Sequence, residues 1–544
     1  TMKKLPIGIQ TFSAIREDNY VYIDKTPMVH QMVTSAGRFF LSRPRRFGKS
    51  LLVDTFKALF EGHQALFQGL YIADKWDFSK THPVIHLNFS DVSVRNEDSL
   101  SKDIKNLLEI NQRRLGLQCA PHHAVHECLR ELIIQAHHHY GRNVVVLVDE
   151  YDKPILDNID HPEISAPIRE VLKAVYAVLK AQDSVLQFVF MTGVTKFSKV
   201  SLFSGMNQLK DITLSQDYAT LCGYTQTDLE TSFGEHLQDV DWAKLKDWYN
   251  GYQFLGESVY NPFDILLFIS ENYRYRNYWF ETGNPSFLIK LFRQKRYFLP
   301  DLEKIEVGEE ILDSFDIEHI HPITLLYQTG YLTIQHYGYD EMDELSFQLG
   351  IPNREVKAAL YNQLLASYSQ QKEQVKTYRQ GLFRALTNAD FPAIKQQVQS
   401  LFAGIPWRNF TQNDLPDAEG YYASVLYAWL SSINATIIPE DLSNHGQVDL
   451  TIMLGDHIYV TEIKLDKSER YQTQTPNPAL AQIQTKKYAQ KYLAQQQAGT
   501  AVHQLGFVFH NRARNLVQCD WQTLAKPEDE KRTTDDNDDQ VEMR

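Results

Sequence analysis

The chain is poor in cysteine: Cys119, Cys128, Cys222 and Cys519 are the only four in 544 residues, and no two stand at CxxC spacing. Neither a disulfide framework nor a zinc knuckle is indicated. Long apolar runs are also missing. None approaches a membrane span, and the N-terminal TMKKLPIGIQ has no apolar core of signal-peptide length, so a cytoplasmic protein without a membrane partner is expected. Positive charge is in deficit, with 55 Lys and Arg against 68 Asp and Glu, a net −13. Non-specific nucleic-acid affinity is mostly phosphate neutralisation, so this balance argues against a DNA-coating protein while permitting a local basic groove. There is no internal repeat. One further shortage is a single glycine. The segment 41-LSRPRRFGKSLL-52 ends as a phosphate loop ends, but Arg43 stands where GxxxxGK[ST] begins with glycine.

The length allows three to four domains. Residues 1–240 alternate strand-like runs with helical patterns, which predicts an α/β unit with a parallel sheet covered on both faces. Its strands are expected around Phe39-Phe40-Leu41, 84-VIHLNFS-90, 144-VVVLV-148 and 186-LQFVFM-191. Its helices are expected over 51–61, as two long ones within 97–140, and over 164–181. Residues 241–400 read as mainly helical, with 324-TLLYQTGYLTI-334 as a candidate hairpin. Residues 401–525 read as a second α/β unit: a helix near 419–432, strands at 447–454 and 457–465, a helix over 478–496 and the strand 504-QLGFVFH-510. Residues 526–544 are an acidic tail with almost nothing to bury, expected to be disordered.

A strand, a loop ending Gly48-Lys49-Ser50 and a helix form an arrangement that catches phosphates, because a helix N-terminus directs free N–H groups at an anion. Lys49 would reach the β- and γ-phosphates of ATP and the Ser50 hydroxyl would ligate Mg²⁺. In 144-VVVLVDEYDKP-154 an apolar strand ends in Asp149, for the Mg²⁺ shell, and Glu150, as base for the attacking water. A further strand ends at 192-TGVTKFSK-199, where Thr192 could sense the γ-phosphate; Lys196 and Lys199 are read as solvated. Arg46 is a candidate nucleotide contact. Arg43 and Arg45 are open between touching nucleotide, bracing the loop and facing another domain.

The second constellation is 447-QVDLTIMLGDHIYVTEIKL-465. Gly455-Asp456 suits a two-residue type II′ turn, which sets Leu454 against His457 and therefore Asp449 against Glu462. Opposed residues share a face with Cβ atoms about 5 Å apart. Two carboxylates so placed repel, and a divalent cation relieves the repulsion; oxygen ligands suit Mg²⁺ or Mn²⁺. Lys464, two residues from Glu462, falls on the same face and could orient or deprotonate water, or stabilise phosphorane charge. Glu419 is a further candidate ligand. Gln482, on the helix 479-ALAQIQTKKYAQKY-492, joins the catalytic candidates, with Lys486, Lys487 and Tyr488 as phosphate contacts. His122, His123, His126 and His137 to His139 read as solvated helix faces. The aromatic-basic run 273-YRYRNYWF-280, continued by ETGNPSFL, reads as packed structure, though it is the best mid-chain candidate for nucleic-acid contact.

The segments 6-PIGIQTF-12, 20-YVYIDKT-26, 43-RPRRFGKSLL-52, 148-VDEYDKP-154, 192-TGVTKFSKVSLFS-204 and 349-LGIPNREV-356 resemble the bacterial AAA-ATPase-like proteins that carry a C-terminal PD-(D/E)XK nuclease domain. The resemblance extends nearly to the acidic tail. It implies an AAA-ATPase-like P-loop domain in 1–240, a linking or lid region in 241–400 and a restriction-endonuclease-like domain in 401–525. GQVDL, EIKL and the ALxQI helix match the nuclease pattern. In that family arginine routinely replaces the first loop glycine. The role of YVYIDKT is open between contact with adenine and support of the sheet. The expectation is an ATP-hydrolysing protein coupled to Mg²⁺-dependent phosphodiester hydrolysis, in DNA more than RNA, with homo-oligomers possible. The rivals are a nucleotide-gated nucleic-acid-binding switch that does not cut, and a regulatory ATPase acting on proteins.

Overall fold

A computed structural model describes residues 2–35, 37–196, 202–203, 206, 209–279, 299–303, 305–313, 321–368, 372–405, 419–441, 448–495 and 499–524. The acidic tail, Lys199, Phe280 and the ETGNPSFL continuation lie outside the described residues. The chain divides into two compact units, Thr1–Leu288 with Glu306–Val356, and Ile289–Ile305 with Lys357–Arg544.

In the first unit the strands β1 (Gly37–Ser42), β2 (Val84–Asn88), β3 (Val144–Asp149), β4 (Leu186–Gly193) and β5 (Lys210–Asp211) form a parallel sheet in the order β2-β3-β4-β1-β5. Every residue of β3 is buried, which is why VVVLVD is a continuous apolar run rather than an alternating one. Strand connections run through helices, among them Lys49–Phe60, Glu97–Arg114, Val125–Tyr140 and Pro162–Ala181. Asn96 opens the second of these with a capping box, its side chain accepting from Ser99 N.

YVYIDKT lies in this unit as a brace. Asp24 accepts from Thr26 N at 2.9 Å and Thr26 Oγ1 at 2.6 Å, and also holds Tyr71 N at 2.9 Å. Lys25 Nζ donates to Thr220 O at 2.7 Å. Val21 and Ile23 enter one apolar cluster with Leu245, Tyr249, Ile265 and Phe268, from helices Trp242–Tyr249 and Pro262–Ser270.

The expected hairpin at 324–334 is not there. Residues Pro322–Thr329 are a helix, started by His321 and Pro322 and ended by Gly330 in the left-handed region. Short apolar runs do not distinguish helix from strand by period alone. The hairpin follows, pairing β7 (Thr333–Tyr339) with β8 (Leu345–Gly350) in a three-stranded sheet completed by β6 (Ile305–Gly308).

The second unit carries a mixed sheet, order β13-β12-β11-β10-β9, from β9 (Thr436–Asp441), β10 (Val448–Leu454), β11 (His457–Asp466), β12 (Ala501–His510) and β13 (Asn515–Leu524). β11 and β12 are parallel and the other pairs antiparallel. The single helix expected over 478–496 is two, Pro478–Thr485 and Tyr488–Ala494, interrupted where Lys486 takes an extended backbone (φ −91°, ψ 145°). These two helices cover one sheet face, where Val460 packs with Ile483, Ala489 and Tyr492. On the other face, Tyr459 donates to Leu386 O of helix Val375–Thr387, and Phe509 packs on Tyr422 of helix Glu419–Ser432.

Candidate active sites

The phosphate loop leaves the carboxyl end of β1, beside β4, at the sheet edge where open α/β proteins bind ligands. Left-handed backbone in the loop falls on Arg46 (φ 70°) and Gly48 (φ 86°), not on Arg43. A glycine is therefore not required at the first position. Arg43 is 1% exposed; its guanidinium donates to Ser42 O (3.0 Å), Thr213 O (2.7 Å) and Tyr218 O (3.4 Å), and lies 3.7 Å from the centroid of Phe254. Burial pulls its pKa down to about 10, against the charge of neighbours including Asp211. It braces the loop from behind. Arg45 and Arg46 are exposed, with Arg46 over the Phe263 ring at 4.8 Å. The Arg45 carbonyl accepts from Trp279 Nε1 at 3.1 Å and Asn261 Nδ2 at 3.4 Å. Tyr278 and Trp279 are buried and Tyr275 stacks on Tyr249, so the described part of YRYRNYWF is packed structure.

Lys49 is buried and donates to the carbonyls of Arg43 (2.8 Å) and Pro44 (2.9 Å). Its ammonium thus sits within the loop, in a place where phosphate oxygens would serve as equivalent acceptors. Burial lowers its pKa, opposed by the charges of Glu150 and Asp149. Asp149 ties two strand ends to the helix that follows the loop: Ser50 Oγ, in the first turn of helix Lys49–Phe60, donates to its Oδ2 at 2.5 Å and Thr192 Oγ1 to its Oδ1 at 2.6 Å. Hydroxyl and carboxylate side by side at a helix N-terminus are a donor set that fits Mg²⁺ with a triphosphate. Glu150 adopts φ 54°, a costly conformation outside glycine, with its amide 3.4 Å from Thr192 Oγ1. Burial raises its carboxyl pKa, partly offset by Lys49.

Two acidic and basic neighbours were misjudged or missed by sequence. Asp152 is buried and accepts from Val194 N, Thr195 N and Thr195 Oγ1, joining the ends of β3 and β4. Lys196 is not solvated: it is 5% exposed and pairs with Asp211 (3.0 Å) and Asp313 (2.5 Å), partners too distant in sequence to be foreseen. The histidines also differ from expectation in part. His122 and His123 precede the helix Val125–Tyr140, and His122 Nε2 lies 2.9 Å from Glu131 Oε2. Among the described residues no cluster of three or more His, Cys, Asp and Glu side chains could hold a metal.

In the second unit the hairpin has the expected register. Leu454 opposes His457, Asp449 opposes Glu462, and Gly455 takes φ 57° while Asp456 does not go positive, as a type II′ turn requires. Asp449 and Glu462 are both 0% exposed. Glu462 also registers with Gly506 of β12, over which a Cβ would come within 2.4 Å of Leu480 N. The absent side chain lets helix Pro478–Thr485 lie directly on the sheet beside the acids. That helix begins at buried Asn477, whose Oδ1 accepts from Ala479 N and Leu480 N and whose Nδ2 donates to Gly506 O and Asp520 Oδ2. Lys464 is half-buried, and among the described residues it makes no ion pair within 4.0 Å. Gln482 is half-buried on the same helix. Glu419 opens helix Glu419–Ser432, but its side chain lies outside the described residues.

The cation at the acids is Lys486. Its Nζ stands 2.5 Å from Asp449 Oδ2 and 4.0 Å from Glu462 Oε1. Burial works against its charge, but the Asp449 hydrogen bond and the two carboxylates hold its pKa above the usual value. A positive charge between two buried carboxylates shows that the pair fits a cation. Sequence reading took Lys486 for a phosphate contact; its spacing of four from Gln482 was the available signal, but only the helix break turns it to the sheet.

The fold and the two sites define a P-loop nucleoside-triphosphatase unit joined in one chain to a restriction-endonuclease-like unit. Residues 6–203 match the family model described as predicted AAA-ATPase, and residues 417–519 match that of the PD-(D/E)XK nuclease superfamily. An uncharacterized protein in the vnfD 5′ region of Azotobacter chroococcum mcd 1 is 42% identical over 520 residues, covering 95% of this chain and 98% of that one. The chain belongs to the family of AAA-ATPase-like proteins with a C-terminal PD-(D/E)XK nuclease domain.

Proposed function

We propose that the protein hydrolyses ATP in its first unit and cleaves phosphodiester bonds of DNA in its second, with Mg²⁺ at both sites and Mn²⁺ as an alternative at the second. The observation that carries the nuclease reading is the Asp449–Glu462 pair, opposed in register, without solvent exposure and closed by one cation. Such a pair costs stability unless it serves a ligand. In this reading Asp449 and Glu462, with Glu419 as a further candidate ligand, would hold the metal, whose chemistry would be to polarise the scissile phosphate. Lys464 then orients or deprotonates the attacking water and Gln482 lines the approach. In the first unit, Lys49 would exchange the loop carbonyls for the phosphates, and Ser50 and Asp149 would hold the Mg²⁺. Thr192, which donates to Asp149, would sense the γ-phosphate, Glu150 would take the proton of the attacking water and exposed Arg46 would contact the nucleotide.

ATP state governs cutting in this proposal, and a cytoplasmic, homo-oligomeric protein acting on DNA is part of it. Among the described residues no helix is long and apolar enough to cross a membrane. The test uses the full chain on linear, circular and single-stranded DNA and on RNA, with Mg²⁺, with and without ATP. DNA cleavage that disappears in Lys464→Ala while ATP turnover persists is expected. Cleavage of RNA alone, or unchanged cutting in Lys464→Ala, would overturn the assignment. Glu150→Gln should retain ATP binding and lose turnover by roughly 100-fold or more, the scale of a general base.

A further inference from the structure

Lys486 does more than neutralise. Asp449 and Glu462 have no solvent exposure, and the Lys486 ammonium stands between them, 2.5 Å from Asp449 Oδ2 and 4.0 Å from Glu462 Oε1. That is the place a metal held by both carboxylates would take, so the lysine and the metal are alternative occupants. Lys486 is equipped for exchange. It sits at the break between two helices, and its side chain retains 20% of its exposure while the acids have none. Next to it in sequence, Lys487 is exposed.

We propose that Lys486 is the resident counter-ion of the metal-free nuclease site, and that a divalent cation displaces it outward to join Lys487 as a contact for the phosphodiester backbone. The acids then stay folded without metal, and metal loading and exposure of a second basic side chain become one event. This rests on the metal-site reading of Asp449 and Glu462.

The experiment is Mn²⁺ titration of the full chain by calorimetry and electron paramagnetic resonance, with thermal melting, for the wild type, Lys486→Gln and Asp449→Asn. Removing the competitor should tighten Mn²⁺ binding at this site by roughly tenfold and lower the metal-free Tm, with saturating Mn²⁺ closing the Tm gap. Equal Mn²⁺ affinity and equal metal-free Tm in wild type and Lys486→Gln would overturn the proposal while leaving the metal site standing. Failure of the wild type to bind more Mn²⁺ than Asp449→Asn would overturn the metal-site reading itself, and the proposal with it. Should Lys486→Gln not fold without metal, the double variant Asp449→Asn/Lys486→Gln decides. Its folding in the absence of metal supports the counter-ion role, and its failure to fold assigns Lys486 to packing and overturns the proposal.

Discussion

At the scale of single residues, Arg43 shows how a departure from a motif can be structural. A guanidinium replaces the glycine of the usual loop, is buried, and satisfies three backbone carbonyls from below the loop. Truncation would leave the Thr213 and Tyr218 carbonyls short of a donor and open a cavity against Phe254. Arg43→Ala should therefore destabilise the first unit by about 2–4 kcal/mol, the joint cost of a cavity and lost buried hydrogen bonds. Chemical denaturation monitored with and without ATP checks this. A loss below about 0.5 kcal/mol, the range of ordinary surface substitutions, would remove Arg43 from its bracing role. The neighbouring Lys49→Ala has the opposite signature, with ATP affinity lost and the fold kept. Glycine-lysine-serine was legible in sequence as a phosphate loop; the purpose of Arg43 was not, because its acceptors lie about 170 residues away.

At the scale of elements, the second site depends on how closely a helix approaches a sheet. Gly506 opposes Glu462 in register, and Leu480 of helix Pro478–Thr485 occupies the space its side chain would fill. Gly506→Ala forces that backbone contact apart, so it should lower stability by about 1–3 kcal/mol, as overpacking does. It should also tighten Mn²⁺ binding, since the displaced helix ends at Lys486 and draws that competing ammonium away from Asp449. Stability lost with Mn²⁺ affinity unchanged would separate packing from the site. The hairpin itself was readable because a two-residue turn fixes register, and register fixes which side chains meet. What sequence reading missed were β9 and β13. The first contains Pro439 and the second mixes polar residues along an edge, NLVQCDWQTL, so neither shows the apolar alternation of a half-buried strand. The helix break at Lys486 was likewise hidden, because nothing in QTKKYAQ is a helix breaker by composition.

At the scale of the whole molecule, each unit contains one of the two candidate sites: the phosphate loop, Asp149 and Glu150 in the first, the opposed acids and Lys486 in the second. A ligand stabilises the unit that holds it, by about 2.7 kcal/mol at a hundredfold excess over its Kd, so ATP identifies the melting signal of the first unit. That signal should carry a pH dependence from a pair outside both sites. Asp264 in helix Pro262–Ser270 and Glu355, which accepts from Tyr278 N at 3.0 Å and Trp279 N at 3.4 Å, are each 0% exposed and interact with one another, so burial favours a protonated carboxyl in the pair. Burial raises both carboxyls, that of Glu355 up to about 7 and that of Asp264 well above its usual value, with the charge of Glu355 adding to the effect at Asp264. The folded state therefore binds these protons more tightly than the unfolded chain. Their stabilisation is complete below the unfolded values near 4 and is lost as pH rises through about 7. Asp264→Asn supplies a permanent neutral partner and removes part of that dependence, while the other titrating groups cancel in the comparison. The Tm of the wild type relative to Asp264→Asn, measured on the ATP-stabilised signal, should fall as pH rises from 5 to 8. A difference that stays flat or rises over this interval would show that the pair does not hold its proton in the folded protein.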